Sequence, residues 1–129
     1  MKLNQDCMRA VILYLEDNLG LNTIISDQSL LDVENFQNFP PEDVIYSVRQ
    51  LYKSGLLEAI EKDYIRPGKR INVIDITPKG HEFCDYVRNE DNWNKAKPKL
   101  LNLSSIDNIM SILSNIFNLA VTAANAFIS

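Results

Sequence analysis

Apolar side chains recur at three- and four-residue steps in several stretches of the chain, which is the spacing of a helix with one buried face. The first such stretch is Asp6–Leu19. Either Asn4 or the first residue of the stretch can cap this helix, and Gly20 is expected to close it in a left-handed conformation. The pattern predicts three further helices, over Pro41–Ser54, from Pro78 onward and over Leu103–Ile128, and the first two of these open with proline at the first helical position.

Between the helices the pattern changes to that of strands. β-Branched residues cluster in Asn22–Ser26 and recur in Arg70–Thr77, and Leu56–Lys62 is predicted to be a further strand. The turn Arg66–Lys69 has proline and glycine where a type II turn requires them, so the last two strands are predicted to form a hairpin. The stretch Asp27–Phe39 fits either a short helix or an extended segment.

The predicted order is helix, strand, undecided segment, helix, hairpin and helix, with Pro78 opening the helix after the hairpin. This order is typical of a winged helix-turn-helix. We therefore predict an α+β fold, with a winged helix-turn-helix domain over residues 1–90 and a C-terminal helical extension over residues 91–129. The polar stretch Asn89–Lys99 is expected to be a loop. Its Trp93 can either stack on a nucleic-acid base or pin the loop to the domain, and we favour the second role.

Short motifs in the chain resemble those of known families. Ser54–Glu58 followed by Ile76–Phe83 resembles the frame "GL[IL]-E … [IL]-T-x-K-G" that many bacterial winged-helix proteins share. The motifs that narrow this resemblance are Met1–Arg9, Glu42–Tyr46, Gly80–Phe83 and Trp93–Lys95. Over about residues 1–100 the chain resembles a family of small phage- and prophage-associated proteins known only as a domain of unknown function, and Ser47 stands where that family often has histidine. The resemblance implies a winged-helix fold and no settled activity.

Charge limits how such a fold can bind nucleic acid. The 129 residues include 17 acidic and 13 basic side chains and have a formal net charge of −4, so binding requires a local basic patch. In a helix-turn-helix the second helix enters the major groove, and here that helix is Pro41–Ser54. Glu42 and Asp43 at its start either repel phosphates or only stabilise the helix start. The predicted DNA-contacting residues on this helix and at the hairpin tip are Tyr46, Ser47, Arg49, Gln50, Lys53, Arg66, Lys69 and Arg70.

The C-terminal segment from Asn108 to Ser129 contains no charged residue. Its polar residues line one stripe of the helix and its apolar residues the opposite side, which argues against a helix that spans lipid. The apolar side can pack against the chain's own domain or pair with a second copy, and we favour a homodimer. The predicted dimerisation residues are Ile109, Ile112, Leu113, Ile116, Phe117, Leu119, Ala120, Ala123 and Phe127.

The sequence contains no recognised arrangement of catalytic residues. His81 has no adjacent nucleophile, Cys7 and Cys84 form no C-x-x-C pair, and there is no phosphate-binding loop. We therefore predict a non-enzymatic protein with no cofactor and no metal site. The start of the chain has no signal-peptide pattern, so a cytoplasmic location is expected.

The predicted function is that of a phage- or prophage-derived transcriptional regulator that binds double-stranded DNA as a dimer. The alternative is a protein-binding module that targets a host or phage protein and reuses the winged-helix scaffold without binding DNA. The acidic balance of the chain and the apolar C-terminal face are the features that favour the alternative.

Overall fold

The computed structural model describes the backbone of residues 1–66 and 68–128 and the side chains of these residues up to 118. The described residues form five α-helices and a three-stranded antiparallel sheet, so the predicted α+β class is confirmed. They fall into two compact units, Met1–Cys84 and Asp85–Ser129. The helices are α1 (Gln5–Asn18), α2 (Pro41–Lys53), α3 (Pro78–Val87), α4 (Glu90–Leu100) and α5 (Ile106–Ile128), and the strands are β1 (Ile25–Ser26), β2 (Leu57–Asp63) and β3 (Lys69–Ile76).

Helix α1 supplies much of the core of the first unit. The side chain of Asn4 caps it by accepting a hydrogen bond from the backbone N–H of Cys7, at 3.1 Å. The same side chain donates to Asp43 Oδ2 at 2.9 Å, which ties the start of α1 to the start of α2. The predicted left-handed closure at Gly20 is wrong, because α1 ends at Asn18 and the next residue, Leu19, is already extended (φ −77°, ψ 124°).

The sheet is built around β3, which lies between β1 and β2. Its pairing with β2 runs from Leu57 opposite Ile76 to Asp63 opposite Lys69, so the predicted hairpin is confirmed. Gly68 at the hairpin tip has a φ of 102°, a left-handed conformation that favours glycine. The predicted turn type depends on a residue outside the described part of the chain.

The undecided segment before α2 forms two short 3-10 helices, Gln28–Asp32 and Glu34–Phe36. An extended residue, Val33, separates them and prevents one continuous helix. Phe36 is buried and packs edge to face on Tyr14 of α1, with ring centroids 5.3 Å apart. This element order is compatible with a winged helix in which a pair of 3-10 turns replaces the second helix.

The shared sequence frame holds α3 against the end of α2. The carbonyl oxygen of Ser54 accepts from Lys79 Nζ at 2.9 Å, and that of Gly55 accepts from Thr77 Oγ1 at 2.7 Å. The next carbonyl, that of Leu56, accepts from the backbone N–H of Thr77 at 3.1 Å. Three successive carbonyls after α2 are thus satisfied by the start of α3, which gives the motif an architectural role.

In the second unit, α4 and α5 contact each other. The expectation of a loop over Asn89–Lys99 is wrong, because Glu90–Leu100 is helical. The Asn89 side chain caps this helix by accepting from the backbone N–H of Asn92 at 3.0 Å. Acidic residues in its first turn and lysines in its last turn match the helix dipole, which compensates for its low apolar content. Trp93 is 2% exposed, so its predicted burial is confirmed, although on a helix.

Candidate nucleic-acid interface

Helix α2 was predicted to present its polar side chains to DNA, but one of them points inward. Ser47 is fully buried, so the prediction that it is exposed is wrong. It lies three residues after Val44 and four before Leu51, on the same buried stripe, and its small side chain fits there. Ser47 is therefore not available to contact a base in this structure.

The other seven predicted DNA contacts retain accessible surface. Tyr46, Arg49 and Gln50 are partly exposed on α2, and Lys53 is exposed in its last turn. The hairpin residues that share this property are Arg66 and Lys69, which are exposed, and Arg70, which is partly exposed. Helix and hairpin thus both supply cations to the surface.

Arg49 joins the helix to the hairpin. Its Nη2 donates a hydrogen bond to the backbone carbonyl of Lys69 in β3, at 3.3 Å. Lys69 in turn places its Nζ 3.1 Å from Glu61 Oε2 on the neighbouring strand β2. The guanidinium of Arg70 lies over the ring of Tyr64, 5.1 Å from its centroid. Three of the predicted DNA contacts therefore have intramolecular partners.

Between α2 and the hairpin lies a cleft of about 150 Å³, which we call the junction cleft. The residues that line it are Arg49, Tyr52, Lys53, Glu61, Lys69 and Ile71. Three cations and one carboxylate line this small volume, a balance that attracts anions, and the nearby carboxyl of Asp27 offsets part of the charge of Arg49 when it is ionised. Sequence reasoning selected the three cations but did not predict that Tyr52 and Glu61 accompany them.

Asp27 is a buried carboxylate close to Arg49 of α2 and Arg70 of β3. Its Oδ1 accepts a hydrogen bond from the backbone N–H of Gln28 at 2.8 Å, and Oδ2 is buried with no partner among the described residues. Burial raises the pKa of Asp27 above 3.8, and the backbone N–H groups and the charges of Arg49 and Arg70 offset part of this effect. The sequence signal was weak: an aspartate that directly follows a β-branched strand and can cap the next turn.

Because the pKa of Asp27 is raised on folding, the folded state favours the protonated carboxyl. Its contribution to the free energy of unfolding is therefore largest below the ordinary pKa of about 4 and falls as the pH rises through the raised value. We expect wild type to gain stability over Asp27→Asn as the pH is lowered from 7 towards 4. Urea unfolding at several pH values measures this difference.

The exposed Asp32→Asn change is the matched control for the loss of one carboxylate. A stability difference between wild type and Asp27→Asn that stays constant between pH 7 and 4 would contradict the expectation. So would a wild type that loses stability relative to Asp27→Asn on acidification, since that is the sign for a carboxylate whose pKa falls on folding.

The comparisons with known proteins identify a family. Residues 2–106 match the family model described as "Hypothetical protein (DUF2513)". The chain belongs to the DUF2513 family. A protein of Haemophilus influenzae (strain ATCC 51907 / DSM 11121 / KW20 / Rd), named "Uncharacterized protein", is 31% identical over 121 residues, which cover 92% of this chain and 97% of that protein. No solved structure matches.

Membership of a family of unknown function, which the sequence motifs implied, is thereby confirmed for this DUF2513 protein. The phage origin and the winged-helix class stay predictions. In the part of the chain that the structure describes, no helix has the length and hydropathy needed to cross a membrane. Among the same residues, no group of three His, Cys, Asp or Glu side chains is placed to hold a metal ion.

The predicted dimerisation residues of the DUF2513 chain divide into three groups. Ile109 and Leu113 are already buried within the single chain. Ile112, Ile116 and Phe117 keep part of their surface exposed, and Phe117 packs on Tyr86 with ring centroids 5.2 Å apart. The predicted residues whose side chains lie outside the described part of the chain are Leu119, Ala120, Ala123 and Phe127.

Proposed function

We propose that this DUF2513 protein is a winged helix-turn-helix regulator that binds double-stranded DNA. In this proposal α2 enters the major groove and the β2–β3 hairpin is the wing that contacts the backbone or the minor groove. The observation that carries the proposal is the hydrogen bond from Arg49 Nη2 to the carbonyl of Lys69, at 3.3 Å. It holds the reader helix and the wing as one unit, so that both can engage a duplex at once.

The wing has the local positive charge that an acidic chain needs in order to approach DNA. Residues 62–70 carry four cations and a single carboxylate, Asp63. Beside Arg66 the side chain of Ile65 is fully exposed at the tip. An arginine next to an exposed apolar side chain is the combination that proteins use to read and wedge the minor groove. This pairing supports a wing that reaches DNA.

The first test is the salt dependence of binding to a pool of duplexes. For wild type we expect retention at low salt and a steep loss of affinity as salt rises, because bound cations release counterions from the phosphates. Arg66→Ala should lower the slope of log K against log salt by about one. Lys99→Ala removes one exposed cation from α4 and is the matched control, with an unchanged slope. A wild type that fails to retain duplex even at low salt would refute DNA binding.

A protein-binding role is the second candidate, and a groove beside α2 favours it. The groove has a volume of about 310 Å³ and lies at the start of the helix. The residues that line it are Met1, Pro41, Glu42, Ile45, Tyr46 and Arg49. Its mostly apolar lining and the acidic residue at its edge suit a protein partner better than a phosphate backbone. If the wild-type protein retains no duplex, and if Ile45→Glu loses a protein partner that wild type binds, the protein-binding role is favoured over DNA binding.

Dimerisation through α5 is the remaining part of the proposal. Ile112 and Ile116 keep exposed apolar surface on a helix that carries no charge after Asp107. Two such faces can bury each other in a symmetric pair, and a symmetric pair suits a two-fold DNA site.

We expect light scattering to give twice the chain mass of 14.7 kDa for wild type and a single chain mass for Ile116→Glu. A buried charge without a partner is costly, so a glutamate in the pairing face separates the two copies. Asn115→Glu adds the same charge on the neighbouring exposed polar position and should remain dimeric. If both variants keep twice the chain mass, this face of α5 does not pair.

A further inference from the structure

Arg49, one of the residues that line the junction cleft, has an unsatisfied donor. Arginine has five N–H groups, and in Arg49 one of them donates to the carbonyl of Lys69. Its Nε is buried and has no partner among the described residues. A buried donor without an acceptor is unfavourable, so a ligand that offers oxygen acceptors here would be stabilised. The planar guanidinium suits the oxygens of a phosphate, which it can bind in a bidentate manner.

Two more cations face the same volume. Lys53 closes the last turn of α2, and Lys69 starts β3 across the cleft. Lys69 is held by a single carboxylate, with its Nζ 3.1 Å from Glu61 Oε2. Both side chains of this pair are 39% exposed, so water screens their attraction and the pair contributes little stability. Exchanging the carboxylate for a phosphate oxygen is therefore inexpensive.

We infer that the junction cleft binds a backbone phosphate of DNA through Arg49, Lys53 and Lys69. Glu61 competes for Lys69 in the unbound protein, and the phosphate displaces it. The assignment of the phosphate to DNA rests on the proposed function, whereas the anion site rests on the cleft alone. The inference makes Glu61 a negative determinant of affinity, which distinguishes it from the other carboxylates of the hairpin.

The first test compares two glutamates on the same strand. Glu61→Gln frees Lys69 and is expected to tighten duplex binding by about two- to fivefold. This range corresponds to the free energy that a surface ion pair typically contributes. Glu58→Gln removes the same charge from β2, but Glu58 lines a different cleft, together with Leu19 and Ile74. It should change affinity less. In a Lys69→Gln background the gain from Glu61→Gln should disappear, because no ammonium is left to release.

The second test uses inorganic phosphate and no DNA. Titration of the wild-type protein should shift the NMR resonance of the Arg49 Nε–H group, and Glu61→Gln should lower the phosphate concentration at half-shift. An unmoved Arg49 resonance, or equal duplex affinities for Glu61→Gln and Glu58→Gln, would overturn the inference. A phosphate-dependent shift in a protein that retains no duplex would support the anion site and overturn its assignment to DNA, together with the proposed function.

Discussion

A Gly80→Ala variant is expected to lose about 3 kcal/mol of unfolding free energy, the upper end of the range for overpacked interiors. A Cβ at this position would overlap the carbonyl oxygen of Leu56 and lie 2.6 Å from Cγ2 of Ile76. That carbonyl cannot move freely, because it already accepts the backbone N–H of Thr77 at 3.1 Å. The first turn of α3 must therefore shift away from the end of α2. Urea unfolding monitored by circular dichroism measures the loss.

Two other glycines provide graded controls. Gly55 has a φ of 82° but open space around it, so Gly55→Ala should cost only about 1 kcal/mol of backbone strain. At Gly20 a Cβ would meet only the flexible Thr23 hydroxyl at 3.1 Å, with no left-handed φ, and Gly20→Ala should be close to neutral. If Gly80→Ala were no less stable than Gly20→Ala, the prediction that close packing around Gly80 excludes a Cβ would be wrong.

The elements that could be predicted from the sequence are those whose signals lie within a few residues of one another. Pro41 at the helix start and Gly55 after its end mark α2, and the alternation between Leu57 and Ile76 across a glycine-containing turn marks the hairpin. The sequence motif around Gly80 was also recognised, but its structural role could not be predicted from the sequence. Its role depends on three carbonyls about 25 residues earlier in the chain, at Ser54 and the two residues that follow.

The features that sequence reasoning missed depend on packing between distant segments or on sparse apolar positions. Helix α4 was missed because most of its residues are polar, although Trp93, Ala96 and Leu100 recur at helical spacing and could have revealed it. Ser47 was placed on the solvent side because serine is polar, and only the neighbouring helix decides that it is covered. Asp27 gave only the weak signal of its place after a strand, since the two arginines beside it come from α2 and β3.

Replacing Trp93 by alanine is expected to cost about 3–5 kcal/mol of unfolding free energy, the range for removing a buried aromatic side chain. The indole is 2% exposed and is among the largest fully buried side chains of the described chain. Its burial also decides between two roles that the sequence left open, since a covered ring cannot stack on a nucleic-acid base. Chemical denaturation of Trp93→Ala, followed by far-ultraviolet circular dichroism, measures the loss.

Trp93→Phe separates stability from binding, because it keeps most of the apolar volume and removes the indole. We expect it to lose less stability than Trp93→Ala and to bind the duplex pool with wild-type affinity at a temperature where both proteins are folded. A base-stacking tryptophan would behave differently, since each stacked base contributes about 1–3 kcal/mol to binding. Weaker duplex binding by a fully folded Trp93→Phe would therefore contradict the structural role and place this side chain in the nucleic-acid interface.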